Sequence, residues 1–208
     1  MNAGKMIRSS VFLLKYLTSM RLDRMARECY GGRSNRWCGR TMKKQNRIAV
    51  YAGTFDPVTI GHLWMIKSGA NLFDKLVIAV GTNPDKKCHF SLKDRIKMLQ
   101  ESIAGYENVT IDKYPNKFLV KYAESIGARF ILRGIRSTTD YEYEKSLSYV
   151  NRHFNSEIAT VFLLPPREMI EISSSIVRGL VGPEGWEEVV GKYISPHVLK
   201  RFMLKNKL

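Results

Sequence analysis

The sequence predicts a single α/β domain: a five-stranded parallel sheet with helices on both faces and further helices at the C-terminal end. Three observations lead there. Five short apolar runs recur along the chain, as expected of strands covered on both faces. Between them, apolar residues fall at helical spacing instead of alternating. Strand and helix then alternate over most of the length, which argues for right-handed βαβ crossovers and against hairpins.

The first run is Ile48-Ala49-Val50-Tyr51-Ala52, and Leu63, Ile66, Ala70 and Phe73 follow it at helical spacing. Leu76 to Val80 is the second strand. Ser91 with Asp94 three residues on makes a cap for a helix that places Leu92, Ile96, Leu99 and Ile103 on one face. Val109-Thr110-Ile111, a helix from Leu119 to Ile126, Phe130-Ile131-Leu132, a helix from Thr139 to Phe154 and the run Thr160 to Leu164 continue the alternation. Ser195-Pro196 opens the last helix, with Ser as cap and Pro in the first turn. Ligands of such sheets sit at the carboxyl ends of the strands, so the chemistry is sought just after Ala52, Val80, Leu132 and Leu164.

Composition narrows the class. The chain has 208 residues, 44% hydrophobic and 25% charged, enough for one well-buried domain. Its longest N-terminal apolar stretch, Val11 to Leu17, is interrupted by Lys15; it is too short to span a membrane and no signal-peptide cleavage site follows it. Cys29, Cys38 and Cys88 make neither a disulfide framework nor a zinc knuckle, and free thiols in a reducing cytoplasm are expected. The formal charge is +15, of which residues 1–41 contribute +7 and the remainder +8. That basic remainder suits an enzyme of polyanionic small molecules.

Residues 1–41 form a basic extension, separate from a catalytic domain over 42–208. Three readings of it stand open: a targeting presequence, a basic arm for nucleic acid, or translation upstream of a start at Met42. The last is favoured because Met42-Lys43-Lys44 directly precedes the first strand. Disorder is expected for it, with a short helix over Val11–Leu17 as the alternative.

The segment after the first strand, Gly53-Thr54-Phe55-Asp56-Pro57 to Thr59-Ile60-Gly61-His62, holds neither a Walker loop nor a GxGxxG fingerprint. It places Thr-x-Gly-His at a helix start, where free N–H groups and the positive dipole end face phosphate. Gly61 allows a nucleotide close to the backbone and His62 adds a donor. After the second strand, Asn83-Pro84-Asp85-Lys86-Lys87 offers two lysines for a phosphate or, alternatively, a solvated turn. After the fourth, Arg133-Gly134-Ile135-Arg136 offers two planar forks for phosphate oxygens, or surface ion pairs. Glu144, Leu147 and Asn151 share a helix face, either a pocket wall or an ordinary half-exposed surface. Ile172-Ser173-Ser174-Ser175 leads three hydroxyls into a helix start, where a plain cap needs one.

These segments, together with Asp140-Tyr141-Glu142-Tyr143-Glu144, Asn151-Arg152-His153 and Ile172 to Arg178, resemble in order and spacing the bacterial phosphopantetheine adenylyltransferase family of the nucleotidyltransferase superfamily, over about residues 47–204. The resemblance implies a Rossmann-like sheet and transfer of the adenylyl group of ATP to 4′-phosphopantetheine. It implies that Thr54 and Phe55 contact ATP, with Thr54 also touching the acceptor phosphate. His62 would stabilise charge on the nucleotide phosphates, and Lys86 and Arg133 would hold the acceptor phosphate, making these three the catalytic set. Gly134, Ile135, Arg136, Glu144, Met169, Ile170, Glu171, Ile172, Ser173, Ser174 and Ser175 would surround ATP. Leu119 and Asn151 would meet the pantetheine arm. Mg2+ would arrive with ATP, without protein ligands. A homohexamer is implied, and neither nucleic acid nor membrane as partner. Ala52 stands where many relatives have proline, and Trp64 where a small or acidic residue is frequent; neither removes a charged contact.

Two rival readings remain. Another small-molecule adenylyl- or cytidylyltransferase, such as one acting on nicotinate mononucleotide, would share the fold and His62. A nucleic-acid-binding protein would use the basic arm, with salt-sensitive binding lost on its deletion.

Overall fold

Strands form where the sequence places β-branched and aliphatic residues in unbroken runs. In the computed structural model, residues 46–81, 88–114 and 117–206 are described; the expectations for residues 1–41 and for Lys86 lie outside them. The elements are β1 (Ile48–Gly53), α1 (Ile60–Leu72), β2 (Lys75–Gly81), α2 (Leu92–Ser102), β3 (Val109–Tyr114), α3 (Leu119–Ser125), β4 (Phe130–Gly134), α4 (Thr138–Phe154) and β5 (Ala159–Leu163). A 3₁₀ turn (Arg167–Met169) then leads to α5 (Ser174–Gly179), α6 (Trp186–Val190) and α7 (Pro196–Asn206).

All neighbouring strands pair in parallel, in the order β3-β2-β1-β4-β5. The chain builds outward from β1 through β2 to β3, then returns to lay β4 on the other side of β1. That reversal opens a crevice between the carboxyl ends of β1 and β4, where open α/β sheets take their ligands.

Strand alternation assigns the two cores. Ala49 and Tyr51 of β1 and Leu76, Ile78 and Val80 of β2 face a large cluster with Met65, Ile66 and Ala70 of α1, Met98 and Leu99 of α2, and Val198 and Phe202 of α7. Val50, Ala52, Val77 and Ala79 face a smaller cluster with Val120, Tyr122 and Ala123 of α3. Helices therefore cover both faces, as predicted. On α1, Gly69 has no side chain because none fits: a Cβ there would lie 2.8 Å from Leu132 Cδ2 and 3.0 Å from Leu76 Cδ2. This lets the helix press onto β4 and β2.

Two strand ends differ from expectation: β3 runs on past Ile111 to Tyr114, and β5 stops short. The fifth run ends at Leu163, and Leu164 is 75% exposed. Pro165 and Pro166 follow at once, removing the N–H groups that would prolong the ladder. Helix α6, preceded by Gly185 at φ 76°, has only five residues, too few for a periodicity to reveal it. Among the described residues no helix is long and apolar enough to cross a membrane.

Candidate active site

The site begins where β1 ends. Phe55 takes φ 50°, a left-handed conformation that a bulky side chain adopts only when its surroundings impose it, at a cost on the order of 1–3 kcal/mol. Its ring is 1% exposed, edge-on to Tyr51 at 5.5 Å and to His62 at 5.1 Å. Next to it, the Asp56 carboxylate accepts the backbone N–H groups of His89 and Phe90, each at 2.7 Å, and Arg178 donates to the Asp56 carbonyl. The Ser174 hydroxyl donates to the Pro57 carbonyl at 2.8 Å. The loop between β1 and α1 is thus clamped from two later parts of the chain.

Thr59 caps α1, and the third helical residue, His62, closes a capping box in which imidazole replaces the usual Glu or Gln. The Thr59 N–H donates to His62 Nδ1 at 3.1 Å. An amide can only donate, so Nδ1 carries a lone pair and the proton of the neutral ring lies on Nε2. Burial, with the nearby Arg136 charge, lowers the His62 pKa from 6.5 to about 4. His62 is therefore a neutral donor of fixed tautomer in the wall of the site.

Arg133 stands at the end of β4 and Arg136 just after it, and each is held by a carboxylate from α4. Arg133 donates from Nε to Glu144 Oε2 at 2.8 Å, from Nη2 to Glu144 Oε1, and from Nη1 to the Ala52 carbonyl at 3.1 Å. Burial pulls its pKa down, but the hydrogen bond and charge of Glu144 outweigh this and the net shift is upward. Arg136 donates from Nε to Asp140 Oδ2 at 2.9 Å. Asp140 and Glu144 lie four residues apart, on one face of α4. Ser137 caps the helix and accepts the Asp140 N–H at 3.1 Å, which fixes the first turn that carries Asp140.

The three serines divide their work. Ser173 caps α5 by accepting the Ile176 N–H at 3.2 Å, Ser174 bonds Pro57, and the Ser175 hydroxyl accepts from Arg178 Nη2 at 3.2 Å. Gly61 faces the segment before α5: a Cβ there would sit 3.8 Å from the Ile172 carbonyl oxygen and 4.0 Å from that of Met169. Its missing side chain keeps that gap open.

Together these parts enclose a cavity of about 440 Å3 at the β1–β4 crevice, the size of a nucleotide-sized ligand site. Of the residues predicted from sequence, Thr54, His62, Arg133, Gly134, Arg136, Glu144, Met169, Ile172, Ser173, Ser174 and Ser175 line it. Phe55 and Ile135 do not line it and are buried, so any contact they make with a ligand would run through the backbone. Ile170 and Glu171 lie between the lining residues Met169 and Ile172 without lining the cavity themselves. Leu119 packs against the smaller core, and neither it nor Asn151 lines the cavity. Thr59 and Asp140, quoted in the sequence only as members of their motifs, also line it, as do Tyr51, Met65 and Pro165, which were not singled out. Tyr51 and Met65 read as core in any periodicity. The Thr59–His62 box and the i, i+4 acid pair opposite the two arginines were visible signals.

A parallel sheet reversing at β1/β4, a nucleotide-sized cavity at that point, and a Thr-x-Gly-His helix start beside two strand-end arginines define a nucleotidyltransferase. The profile of the cytidylyltransferase-like family matches residues 50–180. Phosphopantetheine adenylyltransferase of Chromobacterium violaceum is 51% identical over 155 residues, 74% of this chain and 94% of that protein. The Neisseria meningitidis (serogroup C) enzyme of the same name is 48% identical, covering 77% and 94%. That of Caldanaerobacter subterraneus is 40% identical, covering 77% and 98%. The solved structure of Plasmodium falciparum nicotinic acid mononucleotide adenylyltransferase complexed with NaAD shares the fold, with a TM-score of 0.60 at 16% identity, covering 79% of this chain and 97% of that one. This chain belongs to the phosphopantetheine adenylyltransferase family of nucleotidyltransferases.

Proposed function

We propose that the chain transfers the adenylyl group of ATP to the phosphate of 4′-phosphopantetheine, giving dephospho-coenzyme A and pyrophosphate by direct in-line attack. The observation that carries this reading is the pairing, in one cavity, of a neutral Nε2–H donor on His62 with two carboxylate-oriented guanidinium groups. Such a set neutralises and positions phosphates, which is most of what phosphoryl-type transfer asks of a protein. The acceptor phosphate is itself a nucleophile at neutral pH, so no side-chain base and no covalent intermediate are needed. In this reading Arg133 and Lys86 hold the acceptor phosphate, His62 and Arg136 the nucleotide phosphates, and the Gly61 gap admits the nucleotide. Mg2+ enters as the ATP complex: among the described residues both carboxylates that line the cavity, Asp140 and Glu144, are committed to arginines, which favours a metal held by triphosphate and water. Leu119 and Asn151 remain the proposed contacts of the pantetheine arm. A homo-oligomer, a hexamer as the family resemblance implies, a cytoplasmic location and a dispensable segment 1–41 belong to the same proposal.

Pyrophosphate release from MgATP tests it, with 4′-phosphopantetheine as acceptor and nicotinate mononucleotide as the control. Turnover with the first alone supports the reading, and turnover only with the second replaces it. ATP made chiral at the α-phosphorus tests the single displacement: inversion is expected, and retention would demand a covalent adenylyl-enzyme.

A further inference from the structure

Arg95 lies in the second turn of α2, at a position whose helical neighbours Met98 and Leu99 are core, and is itself only 4% exposed. A buried guanidinium ordinarily has a carboxylate partner. Arg95 has none among the described residues. Asp94, the adjacent acid, accepts the Ser91 hydroxyl at 2.6 Å and faces Arg201 at 3.9 Å. Asp56 is taken by His89, Phe90 and Arg178. Arg95 Nη1 donates instead to two backbone carbonyls, Thr54 at 2.6 Å and Gly81 at 3.0 Å. Its Nε is buried without any partner.

Both carbonyls belong to strand ends beside the cavity, Thr54 just past β1 and Gly81 closing β2. In a trans peptide the carbonyl and the following N–H point in opposite directions. Pinning the Thr54 carbonyl onto Arg95 therefore turns the Phe55 N–H away from α2. That N–H has no acceptor among the described residues, and the Phe55 side chain is buried, so the amide is what Phe55 can offer a ligand. The left-handed φ of Phe55 leaves this peptide plane in need of an external hold.

We propose that Arg95 is a positioning residue for adenylyl transfer: by clamping the Thr54 carbonyl to the end of β2 it aims the Phe55 amide at a phosphate oxygen of the bound nucleotide, and that phosphate supplies the negative charge which the protein withholds from Arg95. The inference rests on the proposed nucleotide site and deepens it. It does not depend on which acceptor is used.

Two variants and two measurements test it. In Arg95→Met the amide loses its aim, and kcat falls on the order of 10²-fold, as for loss of one preorganised backbone donor, while the KM for ATP stays within about threefold. Arg95→Lys keeps the charge and one carbonyl contact, and recovers about tenfold of that loss. If Arg95→Met does not fold, Arg95→Lys decides alone: a lowered kcat at unchanged KM supports the proposal. Wild-type kcat in either variant, or a KM rising in step with the loss, overturns it. The second measurement is free of the acceptor: the amide resonance of Phe55 is followed while MgAMPCPP, a non-transferable ATP analogue, is added. In the wild type it shifts and in the variants the shift is reduced; a wild-type amide that ignores the analogue overturns the proposal. Absence of wild-type turnover with 4′-phosphopantetheine, by contrast, defeats the acceptor assignment and leaves the amide measurement to judge Arg95.

Discussion

His62 shows how a single residue reconciles two demands. As the third residue of α1 it completes the cap of its own helix through Nδ1, and that same bond leaves Nε2–H as the donor in the cavity wall. A protonated ring could not accept from Thr59, so burial and the cap both favour the neutral form. Removing the donor in His62→Ala is expected to lower kcat by on the order of 10²–10³ in protein that still folds; near-native turnover would exclude His62 from the chemistry. The imidazole of the free enzyme is expected to titrate near 4, well below its ordinary 6.5, as followed by its ring nitrogen resonances. Because the native ring refuses a proton that the unfolded chain binds, its contribution to stability is full above pH 6.5 and declines as pH falls towards 4. A midpoint near 6.5 in the native protein would mean that the ring is not buried beside Arg136 as described.

At the scale of elements, α4 works mainly as a bracket for the two arginines. Its one buried residue is a carboxylate, Glu144, and with Asp140 it holds Arg133 and Arg136 in position. If Glu144 acts through Arg133, Glu144→Gln lowers kcat by about tenfold or more, since misplacing a group by an ångström can cost that much. The KM for 4′-phosphopantetheine then stays level or falls, because the released guanidinium still attracts its phosphate. The opposite split, with KM for ATP raised and kcat kept, would make Glu144 a direct ATP ligand, as the family resemblance implies. On α1, Gly69→Val drives two methyl groups into Leu132 and Leu76 and is expected to destabilise by about 1–3 kcal/mol in denaturant titration; unchanged stability would show that the helix can ride up on the sheet. The strands and the long helices were legible in the sequence because burial on two faces leaves unbroken apolar runs, and strand ends marked where to look for charge. The tethers were not. A hydrogen bond such as Arg133 to Ala52 joins residues far apart in sequence, and Arg95 hides in a core stripe in which the eye counts Leu92, Ile96 and Leu99. Leu119 entered by resemblance alone, Asn151 also as part of a helix face that could be a pocket wall or an ordinary surface, and the cavity does not reach either of them.

At the scale of the whole molecule, the same α4 that orients the arginines leaves an apolar stripe uncovered on its outer surface. Tyr143 is 64% exposed, and Leu147, Val150 and Phe154 are exposed on the same face of the helix. Phe118, before α3, extends the patch by stacking on Phe154 at 5.1 Å. Isolated exposed apolar residues need no explanation, but a contiguous group on one helix marks an interaction surface. A second copy of this chain is the occupant that the proposed homo-oligomer supplies. Its symmetry would set α4 helices against one another, so that the apolar face adjoining Asp140 and Glu144 is buried on assembly and the arginine bracket is stiffened. Light scattering on the eluting protein is expected to give a mass that is a multiple of 23.9 kDa. Leu147→Glu with Val150→Glu, which place like charges in that surface, should lower the mass while circular dichroism stays native. They should also lower turnover, because a bracket without its backing holds Arg133 less firmly. A wild-type mass of 23.9 kDa would show that the patch serves another partner, and a variant of unchanged mass would place the contact elsewhere on the molecule.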